Sequence, residues 1–63
     1  MAPSETIRVL IVDDIQETRE NIRRMLQFEP RVEVVGGAGS GAEAISLAIE
    51  TKPDVVIMDI NMP

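Results

Sequence analysis

The stretch Pro53-Asp-Val-Val-Ile-Met-Asp-Ile-Asn-Met-Pro63 decides the fold of this chain. Within it, four consecutive apolar residues, Val55–Met58, lead directly into the carboxylate of Asp59. An apolar run without alternation predicts an interior strand of a parallel sheet, buried on both faces. Asp59 is then expected at the carboxyl end of that strand, where open α/β sheets bind their ligands.

A second stretch of the same kind lies near the start of the chain, where Arg8–Val12 runs into Asp13 and Asp14. Between the two stretches, two segments with helical apolar spacing flank a short β-branched run. The predicted elements are strand one Ile7–Val12, helix one Ile15–Phe28, strand two Val32–Val35, helix two Gly41–Glu50 and strand three Asp54–Met58. The residues predicted to be buried are, in helix one, Ile15, Thr18, Ile22, Met25 and Leu26, and, in helix two, Ala44, Ile45, Ala48 and Ile49.

The order β-α-β-α-β predicts a doubly wound, parallel α/β sheet, since each helix is long enough to form a crossover. If strand three lies beside strand one, right-handed crossovers give the strand order 2-1-3 with one helix on each face. The switch point then falls between strands one and three, so that Asp13, Asp14 and Asp59 meet at one edge. We expect residues 1–6 to form a polar lead and residues 7–63 to form one domain.

Three neighbouring carboxylates repel one another, and a hard divalent cation removes that cost. Mg²⁺ suits such a cluster, because it prefers oxygen ligands and can also hold phosphoryl oxygens. A carboxylate can serve as the nucleophile in phosphoryl transfer and form an aspartyl phosphate. Each acid alone has a simpler explanation; Asp14 with Glu17, for example, matches a helix-capping box. Two apolar strands that both end in acids nevertheless favour the metal and phosphoryl site.

Composition argues against several other classes of function. The 63 residues have a net charge of −5, with 6 basic and 11 acidic side chains, whereas nucleic-acid binding needs a basic face. Arg19, Arg23 and Arg24 share one helix, and we interpret them as a solvated face. The chain has no cysteine and no histidine, which excludes disulfides, zinc sites and histidine bases. Its apolar runs are too short to span a membrane and its start does not resemble a signal peptide, so a cytoplasmic protein is expected.

Two motifs, Val9-Leu-Ile-Val-Asp-Asp14 and Pro53-Asp-Val-Val-Ile-Met-Asp-Ile-Asn-Met-Pro63, resemble the receiver domain of bacterial response regulators, which has the CheY-like, flavodoxin-like fold. The resemblance extends from Ile7 to the end of the chain. It implies two-component phosphorelay signalling, no enzymatic activity in the chain itself, and a sensor histidine kinase as the partner. The sequence of residues 13–21 is most similar to that of receivers joined to MinD-type ATPases of pilus assembly.

The same resemblance implies roles for individual residues. Asp59 is the implied phospho-acceptor, and Asp14 is an implied direct ligand of Mg²⁺. Asp13 is implied to act on the metal largely through water. Asn61, two residues past the acceptor, is implied to give its backbone carbonyl to the metal.

The sequence departs from the family in length. The receiver fold has the strand order 2-1-3-4-5, and these 63 residues supply strands 2, 1 and 3 only. The family's switch Ser/Thr after strand four and its lysine after strand five have no counterpart here. Lys52 cannot replace that lysine, because it precedes strand three at the opposite end of the sheet. The chain therefore resembles a truncated receiver, for which slow phosphorylation is expected.

Two other classes of function stay open. The first is a structural half-domain that forms a homodimer through the unpaired edge of Val55–Met58 and retains a vestigial metal site. The second is a nucleotide-binding fragment that uses the glycine-rich segment Gly36–Gly41. That segment lacks the Gly-Lys-Ser/Thr of a phosphate-binding loop and is more simply interpreted as a strand-to-helix loop. Ser40 with Glu43 predicts a capped helix start directly after it.

Overall fold

Residues 6–58 are described by a computed structural model, in which three strands and two helices alternate along the chain. The elements are β1 Ile7–Val12, α1 Gln16–Leu26, β2 Val32–Ala38, α2 Gly41–Thr51 and β3 Val55–Met58. The strands form one parallel sheet in the order β2-β1-β3, which confirms the predicted α/β class and topology. No helix within residues 6–58 combines the length and apolar character that a membrane span needs.

β1 is the central strand, and its last four residues, Val9 to Val12, are all buried. Successive residues of a strand face opposite sides of the sheet, so a strand buried along its length must be covered on both faces. On one face, Leu10 and Val12 form the core with Ala38 of β2 and Ala44 of α2. On the other face, Ile11 lies beside α1. The core is therefore built around β1. The acidic turn, Asp13 and Asp14, directly follows the buried residues of this strand.

Two adjacent glycines in β2 show how closely the helices approach the sheet. A Cβ atom on Gly36 would lie 3.4 Å from Cδ1 of Leu10 and 3.7 Å from Cδ1 of Leu47 in α2. A Cβ atom on Gly37 would instead lie 3.5 Å from Cδ of Arg19 in α1. Because neighbouring strand residues face opposite sides, the two helices lie on opposite faces of the sheet, as predicted.

β2 extends further than the sequence predicts. The predicted strand ended at Val35 and left Gly36–Gly41 as a loop, but the observed strand continues to Ala38. Glycine has a low strand propensity, yet its backbone groups pair as well as any other. The ladder with β1 continues until Val12 is matched with Ala38, and this pairing overrides the local preference.

β3 is more exposed than its apolar sequence predicts. The side chains of Val55, Val56 and Met58 are 45%, 44% and 52% exposed. Within residues 6–58, β3 pairs only with β1, and neither helix packs on it. The prediction of a strand buried on both faces is therefore wrong for the described part of the chain, because both helices lie over β1 and β2.

The predicted apolar stripes of the helices are buried only in part. In α2, Ala44 is buried and Ala48 is half-buried, as predicted, but Ile45 and Ile49 are 64% and 72% exposed. Ile45 borders an apolar groove between α2 and β3. This side of α2 therefore extends beyond β1 and β2, the two strands that the helix covers. The stripe of α1 divides in the same way, with exposed Ile15 and Met25 and half-buried Thr18, Ile22 and Leu26.

The predicted cap of α2 is confirmed. Oγ of Ser40 accepts a hydrogen bond from the backbone N–H of Glu43 at 3.2 Å. In return, Oε1 of Glu43 accepts from the backbone N–H of Gly39 at 2.6 Å, one residue before the N-cap. The bond to Ser40 satisfies a backbone donor that the first turn of a helix otherwise leaves unpaired, and the bond from Gly39 fixes the residue that precedes the N-cap.

Lys52 ends α2 in the left-handed conformation, with φ 48° and ψ 63°. This conformation costs a residue with a Cβ atom about 1 kcal/mol, whereas glycine adopts it freely. We expect Lys52→Gly to raise the free energy of unfolding by about 1 kcal/mol in urea denaturation. Lys52→Ala removes the same charge but keeps the Cβ atom, so it should give no gain. Equal stability of the two variants would contradict the explanation.

Candidate functional site

Asp13 and Asp14 lie in the turn between β1 and α1, at the carboxyl edge of the sheet. Both line a cavity of about 220 Å³, together with Met58 at the end of β3 and residues 39–41 at the start of α2. β1 and β3 reach this edge together because Val12 pairs with Met58 in the parallel ladder. The predicted switch point between strands one and three thus coincides with a cavity lined by two of the predicted acids.

Asp13 is held by hydrogen bonds at three of its groups. Its backbone N–H donates to the carbonyl of Ala38 at 3.0 Å, and its Oδ1 accepts from the backbone N–H of Ile15 at 2.8 Å. Its own carbonyl accepts from Nη1 of Arg19. The residue is only 4% exposed, so these bonds define how the carboxylate is presented at the cavity.

Asp14 is exposed and is not used to cap α1. The N-cap of α1 is Ile15, whose side chain makes no capping hydrogen bond. The predicted capping box of Asp14 with Glu17 is therefore wrong, because Asp13 supplies the carboxylate that accepts from the turn. The carboxylate of Asp14 is not committed to the helix start and lies at the same cavity.

The two described carboxylates have the donor chemistry that Mg²⁺ requires, since both offer hard oxygen ligands at one edge of the sheet. Asp59 and Asn61, the other predicted ligands, lie outside the described residues. Within residues 6–58, no group of three or more acidic, histidine or cysteine side chains could hold a metal ion. Asp13 and Asp14 therefore fit Mg²⁺ as two oxygen ligands, a number with which this ion binds proteins while it keeps several of its waters.

Arg19 does not belong to the solvated face predicted for the arginines of helix one. Its side chain is half-buried, and its guanidinium group donates to the carbonyl of Asp13. Arg23 and Arg24 are exposed, as predicted. One sequence signal was available: Arg19 follows Ile15 by four residues and so lies one turn beyond the acidic loop on the same side of α1. The space beside β2 that the Arg19 side chain occupies depends on strand pairing, so it could not be inferred from the neighbouring residues in the sequence.

The glycine-rich segment is not a separate loop. Gly36 and Gly37 belong to β2, Gly39 lies in the turn, and Gly41 is the first residue of α2. The turn contributes to the wall of the acidic cavity. The segment does connect β2 to α2, but the predicted loop over Gly36–Gly41 is wrong in extent, because only residues 39–40 lie between the two elements.

Comparison with known proteins gives consistent matches. A family model described as the response regulator receiver domain matches residues 9–63. The chain is 51% identical over 57 residues to a protein-glutamate methylesterase/protein-glutamine glutaminase 2 of Carboxydothermus hydrogenoformans, covering 90% of this chain and 16% of that protein. It is 46% identical over 57 residues to the transcriptional regulatory protein DegU of Brevibacillus brevis, covering 90% and 24%. It is 53% identical over 57 residues to the response regulator GacA of Pseudomonas viridiflava, covering 90% and 27%.

The chain thus spans between 16% and 27% of the length of these three relatives. The methylesterase and transcriptional activities are those of much longer proteins. The similarity to receivers joined to MinD-type ATPases stays a prediction.

Proposed function

Because this chain belongs to the response regulator receiver domain family, we propose that it is a phospho-accepting module of a two-component system. In this proposal Asp59 accepts the phosphoryl group, and Mg²⁺ is held by Asp13, Asp14, Asp59 and the backbone carbonyl of Asn61. The observation that carries the proposal is the cavity that joins Asp13 and Asp14 to Met58, the residue before the proposed acceptor.

The strand register supports this arrangement. Val12 pairs with Met58 in parallel strands, so the last described residue before the proposed acceptor lies beside the residue that precedes Asp13. The proposal therefore needs no change in the described fold to bring the acceptor next to the acidic turn. The hydrogen bonds of Asp13 support a turn that is ordered before any ligand binds, which lowers the entropy cost of binding.

In the proposed reaction, a carboxylate oxygen of Asp59 attacks the phosphorus of a phosphohistidine on a sensor kinase. The bond from phosphorus to the histidine nitrogen breaks, and an aspartyl phosphate forms. When bound, Mg²⁺ supplies charge compensation for the carboxylates and the phosphoryl oxygens. Asp13 and Asp14 hold the negative charge that recruits the cation, and neither forms a bond to phosphorus. The chain is thus proposed as an acceptor in the cytoplasm rather than as an enzyme.

Mg²⁺ should bind weakly to this site, and Asp14→Ala should abolish the binding. The reason is that Asp14 is the exposed carboxylate at the cavity and is not used in a helix cap. Isothermal calorimetry measures the affinity of the chain and of the variant for the metal. Glu50→Ala is the matched control, because it removes the same charge from an exposed position near the far end of α2. Equal affinity of Asp14→Ala and the unaltered chain would mean that the metal binds elsewhere.

We also propose that the 63-residue chain forms a homo-oligomer through β3. The support is the exposed apolar surface of β3 and its outer edge, which has no partner within residues 6–58. An apolar strand with an unpaired edge is a template for a second chain. A self-associating half-domain with a vestigial acidic site is the alternative function that this surface supports.

A further inference from the structure

Arg19 reaches the acidic turn from the first turns of α1. Its Nη1 donates to the backbone carbonyl of Asp13, six residues earlier in the chain. The side chain is half-buried, and its aliphatic part crosses β2 at Gly37. A Cβ atom added to Gly37 would lie 3.5 Å from Cδ and 3.7 Å from Nε of Arg19. The Arg19 side chain therefore links α1 to the turn after β1 and to the end of β2.

Gly39 provides the clearance for the guanidinium group. A Cβ atom at this position would lie 3.1 Å from Nη1 of Arg19, closer than ordinary van der Waals contact. No described glycine has a positive φ, so the backbone conformation of Gly39 does not itself require glycine. The absence of a side chain is instead explained by the neighbouring guanidinium group. Gly39 is fixed on its other side, because its N–H donates to Oε1 of Glu43.

We infer that Arg19 is a positioning residue, which holds the Asp13–Asp14 turn in register with the end of β2. The inference rests on the proposed function, since it concerns the same acidic site. A hydrogen bond from a charged donor is stronger than one between neutral groups, so this contact can hold a short turn. Arg19 donates to the backbone carbonyl of Asp13, so this bond engages neither the carboxylate of Asp13 nor that of Asp14.

A charge effect and a positioning effect predict opposite results for the metal. If Arg19 acted only as a positive charge, its removal would strengthen the binding of a cation. If Arg19 orders the turn, the loss of its directed hydrogen bond weakens binding even when the charge is kept. Lysine keeps the charge but lacks the planar, multi-donor guanidinium group, so Arg19→Lys separates the two effects.

The first test is a Mg²⁺ titration by calorimetry of the unaltered chain and of Arg19→Lys. We expect the affinity of Arg19→Lys for Mg²⁺ to fall roughly tenfold, as for other residues that orient metal ligands. Arg23→Lys is the matched control, because Arg23 is exposed on the same helix, and its affinity should be unchanged. Unchanged or tighter binding by Arg19→Lys would overturn the inference. If the unaltered chain itself bound no Mg²⁺, the proposed function would fail, and the inference would be decided by the next test.

The second test needs no metal. Gly39→Ala should lower the urea midpoint of the unaltered chain, because the new methyl group meets Nη1 of Arg19. In an Arg19→Met background, which keeps the aliphatic contact and removes the guanidinium group, Gly39→Ala should have little effect. Gly41→Ala is the matched control, since a Cβ atom there meets nothing within 4 Å. An equal midpoint shift in both backgrounds would show that Gly39 and Arg19 are not coupled.

Amide hydrogen exchange supplies a readout at the turn itself. The N–H of Ile15 is protected by its bond to Oδ1 of Asp13. We expect Arg19→Met to accelerate exchange at Ile15, while Arg23→Met leaves it unchanged. The same exchange rate in both variants would mean that Arg19 does not order the acidic turn.

Discussion

Acetyl phosphate with Mg²⁺ should phosphorylate the 63-residue chain slowly, and Asp59→Asn should abolish the labelling completely. Asp59 is the proposed nucleophile, and the asparagine amide cannot attack phosphorus to give an acyl phosphate. Slow labelling is expected because the family resemblance implies a lysine that contacts the phosphoryl group, and these 63 residues supply no counterpart of it. Lys52 is the only lysine of the sequence, and it ends α2 at the opposite edge of the sheet. Removing one such electrostatic contact typically lowers a rate roughly a hundredfold or more.

Intact-mass spectrometry measures the labelled fraction over time, and a complete receiver domain of the family provides the reference rate. Asp54→Asn is the matched control, because Asp54 stands at the start of β3 and so at the far end of the strand from Asp59. Oδ2 of Asp54 accepts from the backbone N–H of Arg8 at 2.9 Å, and the carbonyl oxygen of asparagine can still accept that bond. Labelling at the reference rate would show that the missing cation is unimportant. Labelling of Asp59→Asn would remove Asp59 as the acceptor.

The topology and the position of the Asp13–Asp14 turn were predictable from the sequence, because each depends on a strong local pattern. Two apolar runs that end in acids, joined through helical segments, leave few ways to form a parallel sheet. Leu10 and Ile11 are fully buried at its centre, and Asp13 follows them into the cavity. The cap at Ser40 was predictable for the same reason, since it depends on residues only three apart.

Most of the incorrect predictions concern contacts between residues that are distant in the sequence; the cap of Asp14 with Glu17 is the local exception. β2 runs on to Ala38 because β1 pairs with it, although the local sequence is rich in glycine. Val56 and Ile45 are exposed because neither helix packs on β3, whereas an apolar pattern cannot tell which surface a helix covers. Arg19 was predicted to be exposed to solvent, because charged side chains on helices usually are. The site beside Gly37 that the Arg19 side chain occupies forms only when α1 packs on the sheet.

Val56→Lys should dissociate the proposed homo-oligomer and unfold the chain in the same step. Val56 pairs with the buried Leu10 and lines the apolar groove between α2 and β3, with Ala44 and Ala48 on the other side. A lysine on an edge strand is a common device against strand pairing, because its charge would be desolvated in the interface. Pairing β3 with a two-fold copy gives an antiparallel contact and a six-stranded sheet ordered 2-1-3-3′-1′-2′. Exchange of an element between chains is the alternative geometry.

The unfolding follows from the size of the chain. A domain of about 60 residues buries only about 60% of its unfolded surface, so its own core gives marginal stability. An interface that buried about 500 Å² of apolar surface per chain would contribute roughly 12 kcal/mol per chain before the cost of association, at about 25 cal/mol/Å². Even part of that contribution is large beside the net stability of a folded domain, which is about 5–15 kcal/mol. Association and folding are therefore expected to be one equilibrium, whose midpoint depends on protein concentration.

Analytical ultracentrifugation and circular dichroism over a range of concentrations test both halves of this expectation. The control is Phe28→Lys, which places the same charge on another exposed apolar residue, two residues after α1 and outside the groove between α2 and β3. Phe28→Lys should stay assembled and folded, whereas Val56→Lys should be monomeric and unfolded. A monomeric species of the unaltered chain that unfolds cooperatively at micromolar concentration would refute the proposed assembly. Such a result would mean that β1 and its two covering helices hold the sheet together without a partner on β3.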